Sequence, residues 1–248
     1  MTDSQTSVRP ERRAELAAGL ARVRARIADA CAAAGRQRDE VTLVAVTKTY
    51  PAADVVALAG LGVTDVGENR DQEAAPKAEA VADAGAAPRW HFIGQLQRNK
   101  ARSVVRYADV VQSVDSVRLA AALDAAAGAV RDRPLDVLVQ VSIDGDPARG
   151  GALPGSADPQ RGLGPVAAAV AGADGLRLAG LMAVAPLGWE PDRAFARLAE
   201  VAAALRADHP GATVLSAGMS GDLESAVGHG ATHVRVGSAL LGMRPALR

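Results

Sequence analysis

The chain has little cysteine, few aromatic residues and no net charge. Its 248 residues include one cysteine, Cys31, and two each of tryptophan, tyrosine and phenylalanine. A single cysteine cannot form an internal disulfide, so we expect Cys31 to be a small packed residue of the first helix rather than a metal ligand or a catalytic thiol. Lysine plus arginine and aspartate plus glutamate both number 28, which leaves no global field to attract nucleic acid or an anionic membrane. Any anion site must therefore be local.

Long hydrophobic runs are also missing. No apolar stretch approaches the roughly 20 residues needed to span a bilayer, and the N-terminal sequence MTDSQTSVRPERR lacks the apolar core of a signal peptide. These absences and the lone thiol lead us to expect a cytoplasmic protein that binds neither membranes nor nucleic acid. With 49% hydrophobic and 23% charged residues, the composition is globular, and the length suits one large α/β barrel or two ordinary domains.

Short β-rich runs alternate with helical patterns after a first helix at residues 10–34. We expect strands at residues 43–47, 65–67, 90–93, 110–113, 137–141, 178–182, 213–215 and 234–236. Eight such strands predict an α/β fold, a single (β/α)8 TIM-type barrel with an extra N-terminal helix, and a doubly wound open sheet is the alternative. We expect one domain over residues 1–248, with residues 1–8 disordered and a mobile loop rich in glycine and proline over residues 144–164.

The segment VTLVAVTKTYP, residues 41–51, places Lys48 at the end of the first strand. Period-two alternation puts Val44, Val46 and Lys48 on one face, so the amine leaves the core at the mouth where barrels carry their functional sites. Partial desolvation there favours the neutral amine, which can attack an aldehyde or ketone. The alternative is a solvated lysine at a strand end.

Two turns rich in glycine and serine follow the seventh and eighth strands. In barrels of this type, phosphate groups usually bind at these two loops, because glycines admit the backbone and helix N-termini offer free N–H groups. We expect the Ser220 and Ser238 hydroxyls to bind one dianion together with the backbone amides of Gly221, Gly237 and Ser238. For either serine alone, a simple helix N-cap is the alternative.

Arg235 lies between two valines of the eighth strand, so it points toward either the barrel interior or the helix layer. A buried guanidinium needs a partner, which we expect to be a carboxylate such as Glu68 or the ring nitrogen of a cofactor. Asn69 follows at the mouth of the second strand, and we expect His91 to be a hydrogen-bonded core histidine rather than a catalytic one. The other histidines lack metal-ligand spacing, so no metal site is indicated.

The motifs AVTKTYP, GENRDQE, WHFIGQLQRNK, QSVD, GLMAVAP and SAGMSGDLESAVGHGATHVRVGSALLG occur in this order. With them the chain resembles the pyridoxal 5′-phosphate (PLP) homeostasis protein family, which has an alanine racemase-like N-terminal domain, over residues 16–244. The resemblance implies a fold-type III barrel that holds PLP as a Schiff base on Lys48. The further cofactor contacts that it implies are Asn69, Met219, Ser220, Arg235, Gly237 and Ser238.

The resemblance also implies a function in intracellular PLP (vitamin B6) and amino-acid homeostasis, without robust catalysis. Arg235 beside the pyridine nitrogen would weaken the ring as an electron sink. Related racemases complete their site with a second domain that supplies a tyrosine base, and neither tyrosine of this chain, Tyr50 or Tyr107, lies in a stretch that could form it. We expect a monomer, with PLP and PLP-dependent apoenzymes as partners. The alternatives are a fold-type III PLP enzyme such as a racemase or decarboxylase, and a lysine Schiff-base aldolase acting on a phosphorylated sugar.

Overall fold

The eight β-rich runs pair in parallel, in chain order, and the last pairs with the first to close a barrel. The computed structural model describes residues 8–146 and 149–242. Its strands are β1 Thr42–Val46, β2 Asp65–Glu68, β3 Arg89–Phe92, β4 Val110–Val114, β5 Leu135–Gln140, β6 Leu176–Met182, β7 Val214–Ser216 and β8 His233–Val236. The TIM-type barrel is therefore confirmed, and the open sheet is wrong for this chain.

Helices connect successive strands, and one further helix precedes the barrel. They are α1 Pro10–Ala33, α2 Ala52–Gly60, α3 Asp71–Asp83, α4 Ala101–Tyr107, α5 Val117–Gly128, α6 Leu163–Ala171, α7 Pro191–Asp208, α8 Leu223–Gly228 and α9 Ser238–Leu241. Short 3₁₀ turns lie at Arg38–Glu40 and Arg98–Lys100. Within the described residues, no helix combines the length and apolar character needed to cross a membrane.

The extra helix α1 packs across the end of the chain that closes the barrel. Its buried face carries Leu16, Leu20, Val23 and Ile27 at helical spacing, and it contacts α8 and α9. At Gly19 a Cβ atom would come within 2.1 Å of the Leu240 carbonyl oxygen, so only glycine allows this approach. The helix therefore holds α8 and α9, which follow the two loops expected to bind an anion.

The barrel interior has an apolar layer and a polar layer. Val110, Leu138 and Met182 form a small buried cluster inside the barrel, separate from the two larger clusters between strands and helices.

The expected loop at residues 144–164 contains the isolated bridge Leu153–Gly162, and Ala152 pairs with Val141. Residues 1–7, most of the segment expected to be disordered, lie outside the described residues, as do residues 147 and 148 of that loop.

Candidate functional site

Lys48 lies in a turn just beyond the end of β1. The strand ends at Val46, and residues 47–50 leave the barrel rim in a turn where Thr49 has a φ of 68°. This left-handed conformation is uncommon for a residue other than glycine. The Lys48 side chain is exposed, so the expected desolvation is wrong for this structure. The reason is that the turn lifts Lys48 above the rim instead of continuing the strand.

The chain contains three lysines, and only one of them has no acidic partner within the described residues. Lys77 is buried and lies 2.6 Å from Glu68, while the Lys100 Nζ lies 3.9 Å from an Asp71 oxygen. No carboxylate of the described residues lies within 4 Å of Lys48. Among the described residues, Lys48 is therefore the exposed lysine at the mouth of the barrel that has no ion-pair partner.

A buried cluster behind the rim anchors the turn that carries Lys48. Lys77 on α3 donates to the Thr47 carbonyl oxygen at 3.0 Å and to Glu68 Oε1 at 2.6 Å. The Thr47 hydroxyl donates to the same Glu68 oxygen at 2.7 Å. Burial raises the pKa of Glu68 above its ordinary value, although the hydrogen bonds from Lys77 and Thr47 oppose that rise. Glu68 thus accepts hydrogen bonds from Lys77 and Thr47, and the expected ion pair between Glu68 and Arg235 is wrong.

The loops after β7 and β8 meet at the rim. The Ser238 hydroxyl lies 3.4 Å from the Ser220 hydroxyl, which also lies 3.4 Å from the backbone nitrogen of Ala239. Gly237 packs against the end of β1, since a Cβ there would lie 3.3 Å from the Val46 carbonyl oxygen. Because β8 pairs with β1, both serines lie on the same side of the barrel rim as the turn that carries Lys48.

Two further residues of the loop after β7 were singled out from the sequence. Met219 is 39% exposed, and its backbone N–H donates to Asp222 at 2.6 Å. Gly221 is exposed beside it. Arg26 of α1, which the sequence pattern did not single out, donates to the Ser220 carbonyl oxygen at 2.9 Å and pairs with Glu224. The first helix therefore helps to fix the position of this loop.

Arg235 points into the barrel, not into the helix layer. It is 4% exposed and donates to the Ser216 hydroxyl and to the Ala183 carbonyl oxygen, both at 2.8 Å. Burial lowers the pKa of Arg235 to about 10, and the negative charge of Asp222 opposes this. A pKa of that size leaves the guanidinium charged at neutral pH. The site therefore has a fixed positive charge below its mouth.

Arg235 is one end of a hydrogen-bonded chain across the barrel interior. Ser216 donates to Gln112 Oε1 at 2.7 Å, Gln112 Nε2 lies 2.8 Å from His91 Nδ1, and His91 Nε2 lies 2.8 Å from Asp65. Burial tends to raise the pKa of Asp65, but hydrogen bonds from His91 and Thr64 outweigh it and lower that pKa. His91 is thus the hydrogen-bonded core histidine expected from the sequence.

Asn69 completes the mouth on the β2 side. It follows Glu68 directly and is half-buried, and Gly94 packs against its backbone so closely that a Cβ would lie 2.1 Å from the Asn69 carbonyl oxygen. In the part of the chain that the structure describes, no group of three or more histidine, cysteine, aspartate or glutamate residues could hold a metal ion.

Comparisons with known proteins match the chain to one family and to a solved structure of similar fold. The family described as alanine racemase, N-terminal domain, matches residues 19–245. The chain is 48% identical to the pyridoxal phosphate homeostasis protein of Mycobacterium tuberculosis, with 96% of both chains covered. It is 37% identical to the Escherichia coli protein of the same name, over 93% of this chain and 97% of that one. The structure of PipY from Synechococcus elongatus with PLP bound is similar at 33% identity and a TM-score of 0.74, covering 92% of this chain and all of PipY.

Proposed function

The chain belongs to the pyridoxal phosphate homeostasis protein family, and we propose that it holds PLP as a Schiff base on Lys48. We further propose that it acts in intracellular PLP (vitamin B6) and amino-acid homeostasis. The observation that supports the assignment is the pairing of β1 with β8, because Lys48 follows β1, Ser238 follows β8, and the Ser238 hydroxyl lies 3.4 Å from the Ser220 hydroxyl. A phosphorylated aldehyde requires an amine to bind its aldehyde and hydrogen-bond donors to bind its phosphate.

The donors at the mouth fit PLP. When bound, PLP supplies an electrophilic aldehyde on a pyridine ring that carries a phosphate. The Lys48 amine would hold that aldehyde covalently, because an amine and an aldehyde condense with loss of water. Hydroxyls and backbone amides are suitable donors to the phosphate, and those we assign to it belong to Ser220, Gly221, Gly237 and Ser238. We place Asn69 and Met219 beside the ring.

Arg235 affects how strongly the bound pyridine ring withdraws electrons. We propose that its guanidinium faces the pyridine nitrogen. A fixed cation there disfavours protonation of that nitrogen, and an unprotonated ring withdraws electrons less strongly from the carbon next to the imine. The hydrogen bonds of Arg235 to Ser216 and Ala183 support this, because they hold the guanidinium inside the barrel.

We propose that the protein binds PLP without robust turnover. Both tyrosine hydroxyls are engaged elsewhere, since Tyr50 donates to the Gly242 carbonyl oxygen at 2.5 Å and Tyr107 lies 3.4 Å from an Asp71 oxygen. Burial and the Asp71 carboxylate also raise the pKa of Tyr107. These contacts support the proposal, because each hydroxyl already has a hydrogen-bond partner away from Lys48. The proposal includes a single domain, a monomeric and cytoplasmic protein, and PLP-dependent apoenzymes as recipients of the cofactor.

Borohydride reduction of the protein with added PLP, followed by peptide mass spectrometry, tests the site. We expect a pyridoxyl adduct on Lys48 that is lost in Lys48→Ala, while this variant still binds some PLP through the phosphate loops. Lys100→Ala is the matched control, because it removes another lysine near the mouth and should keep the adduct. An adduct on Lys77 or Lys100, or none at all, would contradict the proposal. Sustained racemisation of amino acids at enzymatic rates would show instead a fold-type III PLP enzyme.

A further inference from the structure

The hydrogen-bonded chain below the mouth links residues on five strands. It runs from Arg235 on β8 through Ser216 on β7, Gln112 on β4 and His91 on β3 to Asp65 on β2. All five residues are buried, and Gln112 and Ser216 are fully so. We propose that Ser216, Gln112 and His91 are positioning residues that fix the direction of the Arg235 guanidinium. This inference rests on the proposed function, in which Arg235 faces the PLP ring.

When His91 is neutral, only one assignment of donors and acceptors satisfies every hydrogen bond between Arg235 and Asp65. An arginine has donors only, so the Ser216 oxygen accepts from Arg235, and the Ser216 hydroxyl is left to donate to Gln112 Oε1. The Gln112 amide nitrogen then donates to His91 Nδ1. The His91 proton lies on Nε2 and is donated to Asp65.

Reversing the Gln112 amide would break this order. Its nitrogen would then face Ser216, and its oxygen would require a proton on His91 Nδ1. A neutral His91 would present a bare Nε2 to the ionised Asp65 carboxylate, an acceptor facing an acceptor. The Asp65 carboxylate is itself held, because Thr64 donates to its other oxygen at 2.7 Å. The anchored end at β2 therefore sets the orientation of each following group up to Arg235.

The Arg235 guanidinium makes two hydrogen bonds that anchor it, and one of them belongs to the hydrogen-bonded chain. One terminal nitrogen donates to the Ala183 carbonyl oxygen, which is part of the backbone, and the other donates to Ser216, which is itself oriented by Gln112. Two anchors define the plane of a guanidinium, whereas one anchor leaves it free to rotate. Loss of the Ser216 hydroxyl should therefore misalign Arg235 without removing its charge.

Ser216→Ala tests the positioning role. We expect the Kd for PLP to rise about tenfold, as follows from losing a hydrogen bond to a charged group, and the absorbance maximum of bound PLP to shift. Ser113→Ala is the matched control. Ser113 is a buried serine of β4 whose hydroxyl has no hydrogen-bond partner among the described residues, so its loss should leave both the Kd and the spectrum unchanged. A structural role alone would lower the unfolding temperature of Ser216→Ala and leave the spectrum as in wild type.

Gln112→Met provides a second break in the chain if Ser216→Ala does not fold. We expect a smaller rise in Kd, of about threefold, because Ser216 still accepts from Arg235 but loses its own orientation. The cofactor-free protein offers an independent readout, since ¹⁵N NMR of the His91 ring should show the proton on Nε2. A proton on Nδ1 of a neutral ring would overturn the inference.

The outcomes separate this inference from the proposed function. If wild type forms no borohydride adduct on Lys48, the proposed function fails. If wild type forms the adduct and both variants match its Kd and spectrum, the positioning role fails while the proposed function stands.

Discussion

Replacing Lys77 by methionine should strongly destabilise the protein. Its side chain is 7% exposed and its ion-pair partner Glu68 is 1% exposed. Methionine fills a similar volume but leaves the Glu68 carboxylate buried without a counter-charge. Within the described part of the chain, Glu68 Oε2 already lacks a hydrogen-bond partner. Breaking a buried pair in this way costs about 3–5 kcal/mol. For a chain of this size, that corresponds to a fall in unfolding temperature of about 6–20 °C.

Urea unfolding at constant pH measures this free energy. Lys100→Met is the control, because the Lys100 amine lies 3.9 Å from Asp71 in a partly exposed pair and should cost under about 1 kcal/mol. The double variant Glu68→Gln/Lys77→Met removes the orphaned charge, and we expect it to be more stable than Lys77→Met. A Lys77→Met variant within about 1 kcal/mol of wild type would refute the reasoning.

The loss of stability in Lys77→Met should also depend on pH. Burial raises the pKa of Glu68 in the folded protein, and removing Lys77 takes away a contribution that lowers it. A carboxyl whose pKa is higher in the folded than in the unfolded state binds more protons when folded, so stability falls as pH rises above the ordinary glutamate value. We expect the difference between wild type and Lys77→Met to be larger at pH 8 than at pH 5. An equal loss at both pH values would contradict a buried, unpaired charge.

Two further predictions concern the mouth and the interior. Gly94→Ala should displace the Asn69 backbone and destabilise the protein by about 1–3 kcal/mol by overpacking, as measured by urea unfolding, whereas Gly128→Ala, where a Cβ meets open space, should cost nothing. Equal stability of the two variants would show that β2 and β3 adjust freely. Burial lowers the pKa of His233 to about 4 from its ordinary 6.5, while the charge of Asp65 opposes this. Because the unfolded chain binds the proton more readily, stability should fall by up to about 3 kcal/mol as pH drops from about 6.5 to about 4. His233→Gln should flatten this slope in acid unfolding, and an unchanged slope would assign it to other groups.

The strands and helices were predictable because each repeats a local pattern. Alternating valines placed β1 and β8 to within about a residue, while β5 begins two residues before the expected position 137. The positions of the two loops that carry Ser220 and Ser238 were also predictable, because glycine and serine follow the last two strands directly. Barrel closure then brings Ser220 and Ser238 together.

Partners of buried charges were not predictable in the same way. Glu68 was one of two partners expected for Arg235, the other being a cofactor ring nitrogen. Side chains alternate between the two faces of a strand, however, and Glu68 faces the helix layer, where it meets Lys77 of α3. The exposure of Lys48 was missed because a turn, not the strand, carries it. Gln112 and Ser216 are 104 residues apart, and they lie on strands that are not neighbours in the barrel.

The order of strands and helices, the family and the candidate residues at the mouth were thus determined by the sequence itself, since local periodicity and short motifs carry them. The tertiary structure alone decided which polar groups meet inside the barrel and behind its rim. The physical reason is that these contacts depend on how strands and helices pack: closure of the barrel brings Gln112 and Ser216 within hydrogen-bonding distance across its interior, and the packing of α3 against β2 brings Lys77 to Glu68.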